Sequence, residues 1–354
     1  MSSFLNPQYK ELEIYTPGEQ PQDMKYIKLN TNESPYPPSE GVLKAVNSNQ
    51  AELLRLYSDP ECKGLRKAIA HLYKVDEDNI YLSNGSDDIL NFAFMAYTGK
   101  SRPAVFPEIS YGFYKVFSQL YGTPYEAIPL KEDYSIDYKD YMGLNKFIVI
   151  ANPNAPTGLC LSVKEVEQIV SSNPKSVVVI DEAYVDFGGE SCYPLINKYN
   201  NLLVVQTFSK SRSMAGARLG FAIASKEIIE DLNRIKFSTN PYNVNRLTLV
   251  AGEMAIKEND YYMENCQKII EARDFTTKQL EELGFYVIPS KANFVFAKSE
   301  KISGEELYKR LKASGILVRH FESEQIKDFN RITIGTMEDM KTFISTVKKI
   351  LEEI

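Results

Sequence analysis

The sequence predicts an α/β protein in which a large domain is built on a mostly parallel sheet flanked by helices, with a smaller α+β domain beside it. Strand and helix patterns alternate through the middle of the chain, which is typical of a parallel sheet. Polar clusters follow these strands, where such sheets bind ligands. Near residue 250 a long helical stretch and several short strands replace this alternation. We therefore predict a large domain over residues 37–250, and an N-terminal segment (1–36) that joins a small C-terminal domain (251–354).

Short apolar runs predict the strands of the large domain. They are "NIYLSNG" (79–85), "FIVIANPNAPTG" (147–158), "SVVVIDEAY" (176–184) and "LLVVQTFSK" (202–210). Two helices between them have clear beginnings. "SDDILNFAFMAY" (86–97) carries acidic residues in its first turn, which suits the helix dipole. "SVKEVEQIV" (162–170) opens with a capping box of Ser162 and Glu165.

The small domain is predicted from patterns after the long helical stretch, which ends at Gly284. Its strands are "YVIPSKANFVFAK", "ILVRHF" and "NRITIGT", with the capped helix "SGEELYKRLKASG" between the first two. The last helix, 337–354, has an apolar stripe that we interpret as a packing surface.

Composition and charge exclude several classes of protein. The chain has 354 residues, of which 44% are hydrophobic and 25% charged, as in ordinary globular proteins. A net charge of −6 argues against a nucleic-acid partner. No apolar run reaches the roughly 18 residues that span a bilayer, and the N-terminus lacks a signal-peptide pattern. We therefore expect a cytoplasmic protein without membrane contact.

Cysteine and histidine content limits the chemistry. The four cysteines are scattered without a CxxC pair, so we expect reduced thiols and neither a disulfide framework nor a metal site. The two histidines, His71 and His320, have no GxSxG partner for a Ser-His-Asp hydrolase. The chemistry is therefore expected to use a lysine and a cofactor.

Four polar clusters at strand ends need one explanation: "SNGSDD", "NPNAPTG", "DEAY" and "TFSK…AGARLGF". A pyridoxal phosphate site accounts for all of them. A lysine amine forms a Schiff base with the cofactor aldehyde, and a carboxylate pairs with the ring nitrogen. The phosphate group binds backbone N–H groups at a helix N-terminus, hydroxyls and an arginine.

The order of the motifs along the chain resembles the fold-type-I pyridoxal-phosphate enzymes of the aspartate aminotransferase superfamily. Within it, the sequence is most similar to the histidinol-phosphate aminotransferase family. The motifs are "IYTPG", "KLNTNESP", "LYSDPECKGLR", "SNGSDD", "PEISYGFY", "NPNAPTG", "DEAYVDF", "TFSKSRSMAGARLGF", "PYNVN", "ANFVFA" and "NRITIGT". Each alone is weak evidence, but together they cover nearly the whole chain in the expected order.

The resemblance implies a catalytic role for three residues. Lys210 forms the Schiff base and moves the proton between the substrate α-carbon and the cofactor. Asp181 pairs with the ring nitrogen, and Tyr184 donates a hydrogen bond to the phenolic oxygen. Tyr111 stacks on the ring.

The resemblance also implies a phosphate site. The residues that hold the phosphate are Ser86, Asp87, Ser209 and Arg218. Tyr57 is expected to reach the phosphate from the neighbouring subunit, which makes a homodimer part of the prediction.

One position departs from the family pattern. Many relatives have "NNPTG", in which the asparagine directly before "PTG" contacts the phenolic oxygen. Here that residue is Ala155. Asn154 is the preferred substitute and Asn152 is the alternative.

The substrate side follows from the same resemblance. Arg319 and Arg331 are expected to meet the anionic end of the substrate. The alternative for Arg319, which is less favoured, is a surface residue of its strand. Tyr15 and Asn243 would join them, which favours a phosphate over a carboxylate. Asn32 and Glu33 are expected at the imidazole end.

The implied activity is amino transfer from L-histidinol phosphate to 2-oxoglutarate by a ping-pong mechanism, giving imidazole acetol phosphate and glutamate. A threonine-phosphate decarboxylase and an aromatic amino-acid aminotransferase are alternatives on the same fold. A non-catalytic pyridoxal-phosphate-binding regulator would need a DNA-binding module before residue 15, where the match begins. A nicotinamide dehydrogenase would need a GxGxxG motif after a strand, and the sequence has none there.

Overall fold

A seven-stranded sheet forms the centre of the described chain, which in this computed structural model comprises residues 2, 4–10, 12–13 and 15–354. Its strands are β2 (Ile80–Ser83), β3 (Ala104–Pro107), β4 (Tyr125–Ile128), β5 (Phe147–Ala151), β6 (Val178–Asp181), β7 (Leu202–Thr207) and β8 (Gly220–Ala224). The spatial order is β2-β8-β7-β6-β5-β3-β4. Among these strands only β8 runs in the opposite direction to the rest, so the prediction of a mostly parallel sheet is confirmed.

The strands β5, β6 and β7 are buried along their whole length. Their residues are mostly valine, isoleucine and leucine, which suit a sheet covered on both faces. The helices of this part of the chain are α1 (Glu40–Ala45), α2 (Ser48–Glu52), α3 (Lys63–Tyr73), α4 (Ser86–Tyr97), α5 (Phe113–Leu120), α6 (Val163–Ser172), α7 (Lys226–Thr239) and α8 (Arg246–Lys257). The bounds predicted for α4 are confirmed, as is the capping box of Ser162 and Glu165.

The long helical stretch predicted up to Gly284 is two helices. The second, α9, spans Asn259–Glu282, and Glu258 separates it from α8 with non-helical backbone angles (φ −101°, ψ 32°). The Glu258 side chain accepts a hydrogen bond from the Gly41 backbone at 3.2 Å, and Arg212 donates to the Asn259 side chain at 2.8 Å. These contacts with distant segments stabilise the break between α8 and α9. The helical periodicity of the sequence does not predict this break. The predicted domain boundary at residue 250 falls inside α8 and stays a prediction.

A four-stranded antiparallel sheet forms most of the C-terminal part. It contains β9 (Phe285–Ile288), β10 (Phe294–Ser299), β12 (Arg319–His320) and β13 (Phe329–Thr333). The helices α10 (Gly304–Ala313) and α11 (Met337–Glu352) complete it. The apolar stripe of α11 is buried at Met340, Phe343 and Val347, as expected for a packing surface.

The N-terminal segment pairs with this C-terminal part. Strand β1 (Ile27–Lys28) runs parallel to β11 (Ile316–Leu317). Leu29 packs in the same hydrophobic cluster as residues of β10, β13 and α11. The residues directly after β1 are therefore held between the small sheet and the large one.

Register places the polar clusters at one edge of the large sheet. Asp181, the last residue of β6, lies between Ala151 of β5 and Val205 of β7. Lys210 follows the end of β7 by three residues. Ser83, at the end of β2, pairs with Gly220 at the start of β8. None of the helices in the described ranges has the length and apolar content to cross a membrane.

Candidate active site

A cleft of about 470 Å³ opens at this edge of the large sheet. Of the residues predicted for the site, its walls contain Glu33, Ser86, Asp87, Tyr111, Asp181, Tyr184, Ser209, Lys210 and Arg218. They come from the N-terminal segment and from the loops after β2, β3, β6 and β7. The topology therefore brings together side chains that are up to 185 positions apart in sequence, from Glu33 to Arg218.

Asp181 is a buried carboxylate without an ion-pair partner among the described residues. The hydroxyl of Tyr114 donates to its Oδ2 at 2.9 Å, and the backbone N–H of Ala183 donates to its Oδ1 at 3.3 Å. Burial raises the pKa of Asp181 to about 6. A cation beside this carboxylate would stabilise its ionised form and lower its pKa, so the position suits a protonated ring nitrogen.

Lys210 presents a primary amine to the same cleft. Its Nζ donates to the Thr31 carbonyl oxygen at 3.3 Å and lies 5.8 Å from the centre of the Tyr184 ring. The loop that carries it is fixed to β7, because the Ser209 backbone donates to Thr207 Oγ1 at 3.1 Å. Within the described chain this amine has no carboxylate in ion-pair contact, so it is available to react with an aldehyde.

An anion cradle lies in the same cleft, at the first turn of α4. Backbone N–H groups of such a turn have no partner inside the helix and attract phosphate. Arg218 Nη2 lies 2.9 Å from Asp87 Oδ2, and Arg218 Nη1 lies 3.5 Å from Ser209 Oγ. A guanidinium, a hydroxyl and a helix N-terminus therefore converge here, which is the donor set that a phosphate group needs.

The cradle depends on a close approach between two backbones. A Cβ atom on Gly220 would lie 2.5 Å from the Ser86 nitrogen and 2.5 Å from the Gly85 carbonyl carbon. Gly85 itself has φ +87°, which glycine adopts without strain. The glycine in "RLGF" thus allows β8 to lie against the turn that precedes α4.

Tyr111 closes one side of the cleft. Its hydroxyl donates to Asp87 Oδ1 at 2.6 Å, and burial raises the pKa of Tyr111 well above its usual range. The ring lies edge-on to Tyr15, with 6.3 Å between the ring centres. A flat, partly buried aromatic face in this place could stack on a cofactor ring.

The structure does not bring Asn154 to the cleft wall. Ser110 donates to its Oδ1 at 2.7 Å, and its Nδ2 donates to the Ile109 carbonyl oxygen at 3.0 Å. Asn152, the alternative, forms hydrogen bonds with both backbone groups of Leu161. Ala155, in contrast, lines the cleft with its methyl group. Neither of the two asparagines therefore lines the cleft in this structure.

Arg331 is a partly buried cation next to the cleft. Its guanidinium lies between the rings of Phe294 and Phe321, at 5.4 Å and 5.8 Å from their centres. Its Nη2 donates to the Asn30 carbonyl oxygen at 3.0 Å, and its buried Nε has no hydrogen-bond partner in the described chain. Burial lowers the pKa of Arg331. A cation without a balancing carboxylate suits an anionic ligand.

Arg319 faces a second cavity, of about 440 Å³, and not the cleft wall. Its guanidinium donates to the carbonyl oxygens of Thr16 and Pro17 at 3.1 Å and 3.2 Å. It therefore fastens the segment that follows Tyr15. Arg319 therefore does not line the cleft in this structure, and its contact with the substrate stays a prediction.

The remaining predicted residues have different surroundings. Glu33 lies on the cleft wall and pairs with Lys28 at 2.6 Å. Asn32 is buried behind the wall, where its Nδ2 donates to the Tyr184 hydroxyl at 2.9 Å. Asn243 lies beside α4 and donates to Ser83 Oγ and Asp88 Oδ2, both at 2.7 Å.

Tyr57 lies outside the cleft of its own chain. Its side chain is 80% exposed and stacks on Tyr242, with 4.5 Å between the ring centres. Arg246 fixes its backbone by donating to the Tyr57 carbonyl oxygen at 2.9 Å.

Three residues absent from the predicted site contribute to it. Tyr114 donates to Asp181, Thr31 accepts from Lys210, and Thr333 holds Asn32. Tyr114 and Thr333 lie within the motifs "PEISYGFY" and "NRITIGT", but nothing in these motifs distinguishes the two residues from tyrosines and threonines that only pack in the core. Thr31 acts through its backbone, which leaves no signature in the sequence.

The fold and the site together define a pyridoxal-phosphate enzyme of fold type I. A reactive amine, a buried carboxylate and a phosphate cradle lie in one cleft, at distances set by the large sheet. The family model for class I and II aminotransferases matches residues 24–347 of the chain.

Relatives and solved structures agree with this class. A histidinol-phosphate aminotransferase from Brachyspira hyodysenteriae is 51% identical over 353 residues, which cover 99% of this chain and 100% of the relative. One from Clostridium beijerinckii is 47% identical over 351 residues, covering 99% of this chain and 98% of the relative. The crystal structure of a histidinol-phosphate aminotransferase from Sinorhizobium meliloti, in complex with pyridoxal-5'-phosphate, has a TM-score of 0.89 at 22% identity and covers 100% of this chain and 99% of that chain. The chain therefore belongs to the class I and II aminotransferase family, in the branch of the histidinol-phosphate aminotransferases.

Proposed function

We propose that this protein transfers the amino group of L-histidinol phosphate to 2-oxoglutarate, giving imidazole acetol phosphate and glutamate. The observation that carries the proposal is the 51% identity over 353 residues to a histidinol-phosphate aminotransferase. The motifs that supply the cleft are spread over the whole length of that match.

The environment of Arg331 supports an anionic substrate. Its guanidinium is held between two aromatic rings and has a buried, unpaired Nε in the described chain. Tyr15 lies close enough to be affected electrostatically by Arg331. Burial raises the pKa of Tyr15, so its hydroxyl keeps its hydrogen and could donate to a phosphate oxygen. An arginine and a tyrosine would then orient the phosphate end of the substrate.

The cleft residues divide the chemistry among them. Pyridoxal phosphate, when bound, supplies a ring that accepts electron density from the substrate α-carbon. Asp181 holds a proton on the ring nitrogen, which increases this capacity. Lys210 Nζ takes the proton from the α-carbon, as a base positioned by the loop after β7. Arg218, Ser209 and the first turn of α4 anchor the phosphate.

A homodimer is part of the proposal. Large apolar side chains are exposed between residues 43 and 57, and on Tyr242, whose ring stacks on Tyr57: Leu43, Val46, Leu54, Leu56, Tyr57 and Tyr242. Monomeric proteins rarely expose such a cluster without a partner. A second copy of the chain would cover it and place Tyr57 near the phosphate cradle of the other subunit.

An absorbance titration tests the reaction. The holoenzyme should show a visible band of lysine-bound cofactor that disappears on addition of L-histidinol phosphate and returns with 2-oxoglutarate. A band that L-histidinol phosphate leaves unchanged would contradict the substrate. Release of CO₂ from threonine phosphate would instead identify a decarboxylase, and a response only to aromatic amino acids would identify an aromatic aminotransferase.

A further inference from the structure

We propose that Asn32 and Thr333 orient the hydroxyl hydrogen of Tyr184 toward the cleft and are therefore positioning residues for this tyrosine. The inference rests on the proposed site, in which Tyr184 faces the cofactor. It gives Asn32 a different role from the substrate contact that the sequence predicts.

A one-way chain of hydrogen bonds connects these residues. The backbone N–H of Asn32 donates to Thr333 Oγ1 at 2.9 Å. The Thr333 hydroxyl donates to Asn32 Oδ1 at 2.9 Å. Asn32 Nδ2 donates to the Tyr184 hydroxyl oxygen at 2.9 Å. Because Tyr184 accepts here, its own hydrogen is free to point into the cleft that the residue lines.

The direction of this chain follows from its first donor. A backbone N–H can only donate, so the single hydrogen of the Thr333 hydroxyl is left for the Asn32 side chain. The atom facing it must then be the amide oxygen. If the amide were turned around, the buried Thr333 hydrogen would lose its acceptor, and Tyr184 would donate to Asn32 and not to the cleft.

The backbone holds Asn32 in this position. Its φ of 57° lies in the left-handed region, which asparagine adopts more readily than most residues. Asn293 donates to the Asn32 carbonyl oxygen at 3.0 Å. Asn32 and Thr333 are 1% and 2% exposed, so water cannot readily replace these bonds.

The direction of the Tyr184 hydrogen matters because of its surroundings. Lys210 Nζ lies 5.8 Å from the centre of the Tyr184 ring. The phenolic oxygen of pyridoxal phosphate is on the carbon next to the one that bears the aldehyde, so a hydroxyl near Lys210 can reach it. Ala155 offers a methyl group to the cleft, and the side chains of Asn152 and Asn154 are bound elsewhere.

A donor to the phenolic oxygen changes a measurable property. The protonated nitrogen that joins Lys210 to the cofactor donates to this same oxygen. A hydrogen bond from Tyr184 withdraws charge from the oxygen, which weakens that interaction and lowers the pKa of the nitrogen. Loss of the orientation should therefore raise this pKa, which is read from the visible absorption of the holoenzyme as pH is varied.

The experiment compares five holoenzymes by this pH titration: wild type, Thr333→Ser, Thr333→Val, Tyr184→Phe and the double variant of the last two. Thr333→Ser keeps the hydroxyl and should keep the wild-type midpoint. Thr333→Val and Tyr184→Phe should both raise the midpoint by about one pH unit, a tenfold change in proton affinity. The double variant Thr333→Val/Tyr184→Phe should have the midpoint of Tyr184→Phe, because both changes act through one hydroxyl.

Other outcomes would overturn the proposal. Thr333 does not act through Tyr184 if Thr333→Val has the wild-type midpoint. The same conclusion follows if Thr333→Val adds its full shift to that of Tyr184→Phe in the double variant. If Thr333→Val does not fold, Asn32→Asp replaces it. Asn32→Asp should raise the midpoint more when Tyr184 is present than in the Tyr184→Phe background. Equal shifts in the two backgrounds would contradict the orientation. A wild-type protein without a visible band would overturn the cofactor site itself and this inference with it.

Discussion

At the scale of single residues, the site depends on polar groups that are buried before any ligand binds. Asp181 and Arg331 are both held in surroundings that disfavour their charges. Such groups reduce the stability of the empty protein, and they are stabilised when a ligand of opposite charge arrives. Two predictions follow from this arrangement.

Asp181 should make the stability of the cofactor-free protein depend on pH. Burial raises its pKa from an ordinary 3.8 to about 6, so its contribution is favourable at low pH and is lost as pH rises through about 6. Between pH 4 and pH 7, we expect the free energy of unfolding of Asp181→Asn to rise by up to about 3 kcal/mol relative to that of wild type. Urea unfolding of both cofactor-free proteins measures this difference. If the difference in free energy of unfolding between the two proteins is the same from pH 4 to pH 7, burial does not raise the pKa of Asp181.

Arg331 should discriminate among substrates by their anionic group. Arg331→Lys keeps the charge but loses the planar donor geometry. We expect kcat/KM for L-histidinol phosphate to fall by about 10- to 100-fold, as for a lost hydrogen bond to a charged group. The visible band of the holoenzyme should be unchanged. Arg310→Lys, on the surface helix α10, is the matched control, and equal losses in both variants would contradict the assignment.

At the scale of elements, the contact between β8 and the turn before α4 shapes the phosphate cradle. Gly220→Ala would place a Cβ atom 2.5 Å from the Ser86 nitrogen, which is backbone and cannot swing aside. We expect the turn to shift and the affinity for pyridoxal phosphate to fall at least about tenfold, since overpacking costs about 1–3 kcal/mol. A fluorescence titration of the cofactor-free protein measures the affinity.

A second glycine provides the control for that change. A Cβ on Gly99 would meet nothing within 4 Å. Gly99→Ala should therefore leave cofactor affinity as in wild type. If Gly220→Ala binds the cofactor as tightly as Gly99→Ala does, the close approach of the two backbones is not what shapes the cradle.

At the scale of the whole molecule, the proposed homodimer would link the exposed apolar surface to the cleft through Tyr57. Leu54→Glu/Leu56→Glu should prevent dimerisation and weaken cofactor binding together, because the partner's Tyr57 would be lost from the cradle. Light scattering should give about 80 kDa for wild type, twice the 40.3 kDa chain, and half of that for the variant.

Two further variants separate assembly from phosphate contact. Tyr57→Phe should remain a dimer and bind pyridoxal phosphate less tightly, since only the hydroxyl is lost. Ile354→Glu changes another exposed apolar side chain, at the C-terminus, and should alter neither property. A Leu54→Glu/Leu56→Glu protein that is monomeric with unchanged cofactor affinity would show that each cleft is complete within one chain.

The sequence by itself determined the fold class and the order of the sheet-end motifs, and it placed Lys210 and Asp181 near the ends of neighbouring strands. The roles of these two residues follow from the family resemblance and stay predictions. The strands and the positions of the motifs are local properties: apolar runs make buried strands, a strand end exposes its polar residues, and only certain side chains suit each part of the cofactor. The bounds of α4 and the capping box of α6 are local in the same way. Such features can be predicted from the sequence because each depends on residues only a few positions away.

The tertiary structure decided what depends on contacts between distant segments. Asn32 and Thr333 are 301 positions apart, and their hydrogen bonds to each other decide what Tyr184 can donate to. Asn154 is turned from the cleft by Ser110, 44 positions earlier in the chain. Arg319 holds the backbone of the N-terminal segment, about 302 positions away. A side chain's partner, and the direction in which it donates, are fixed only when the chain has folded and burial leaves one acceptor within reach.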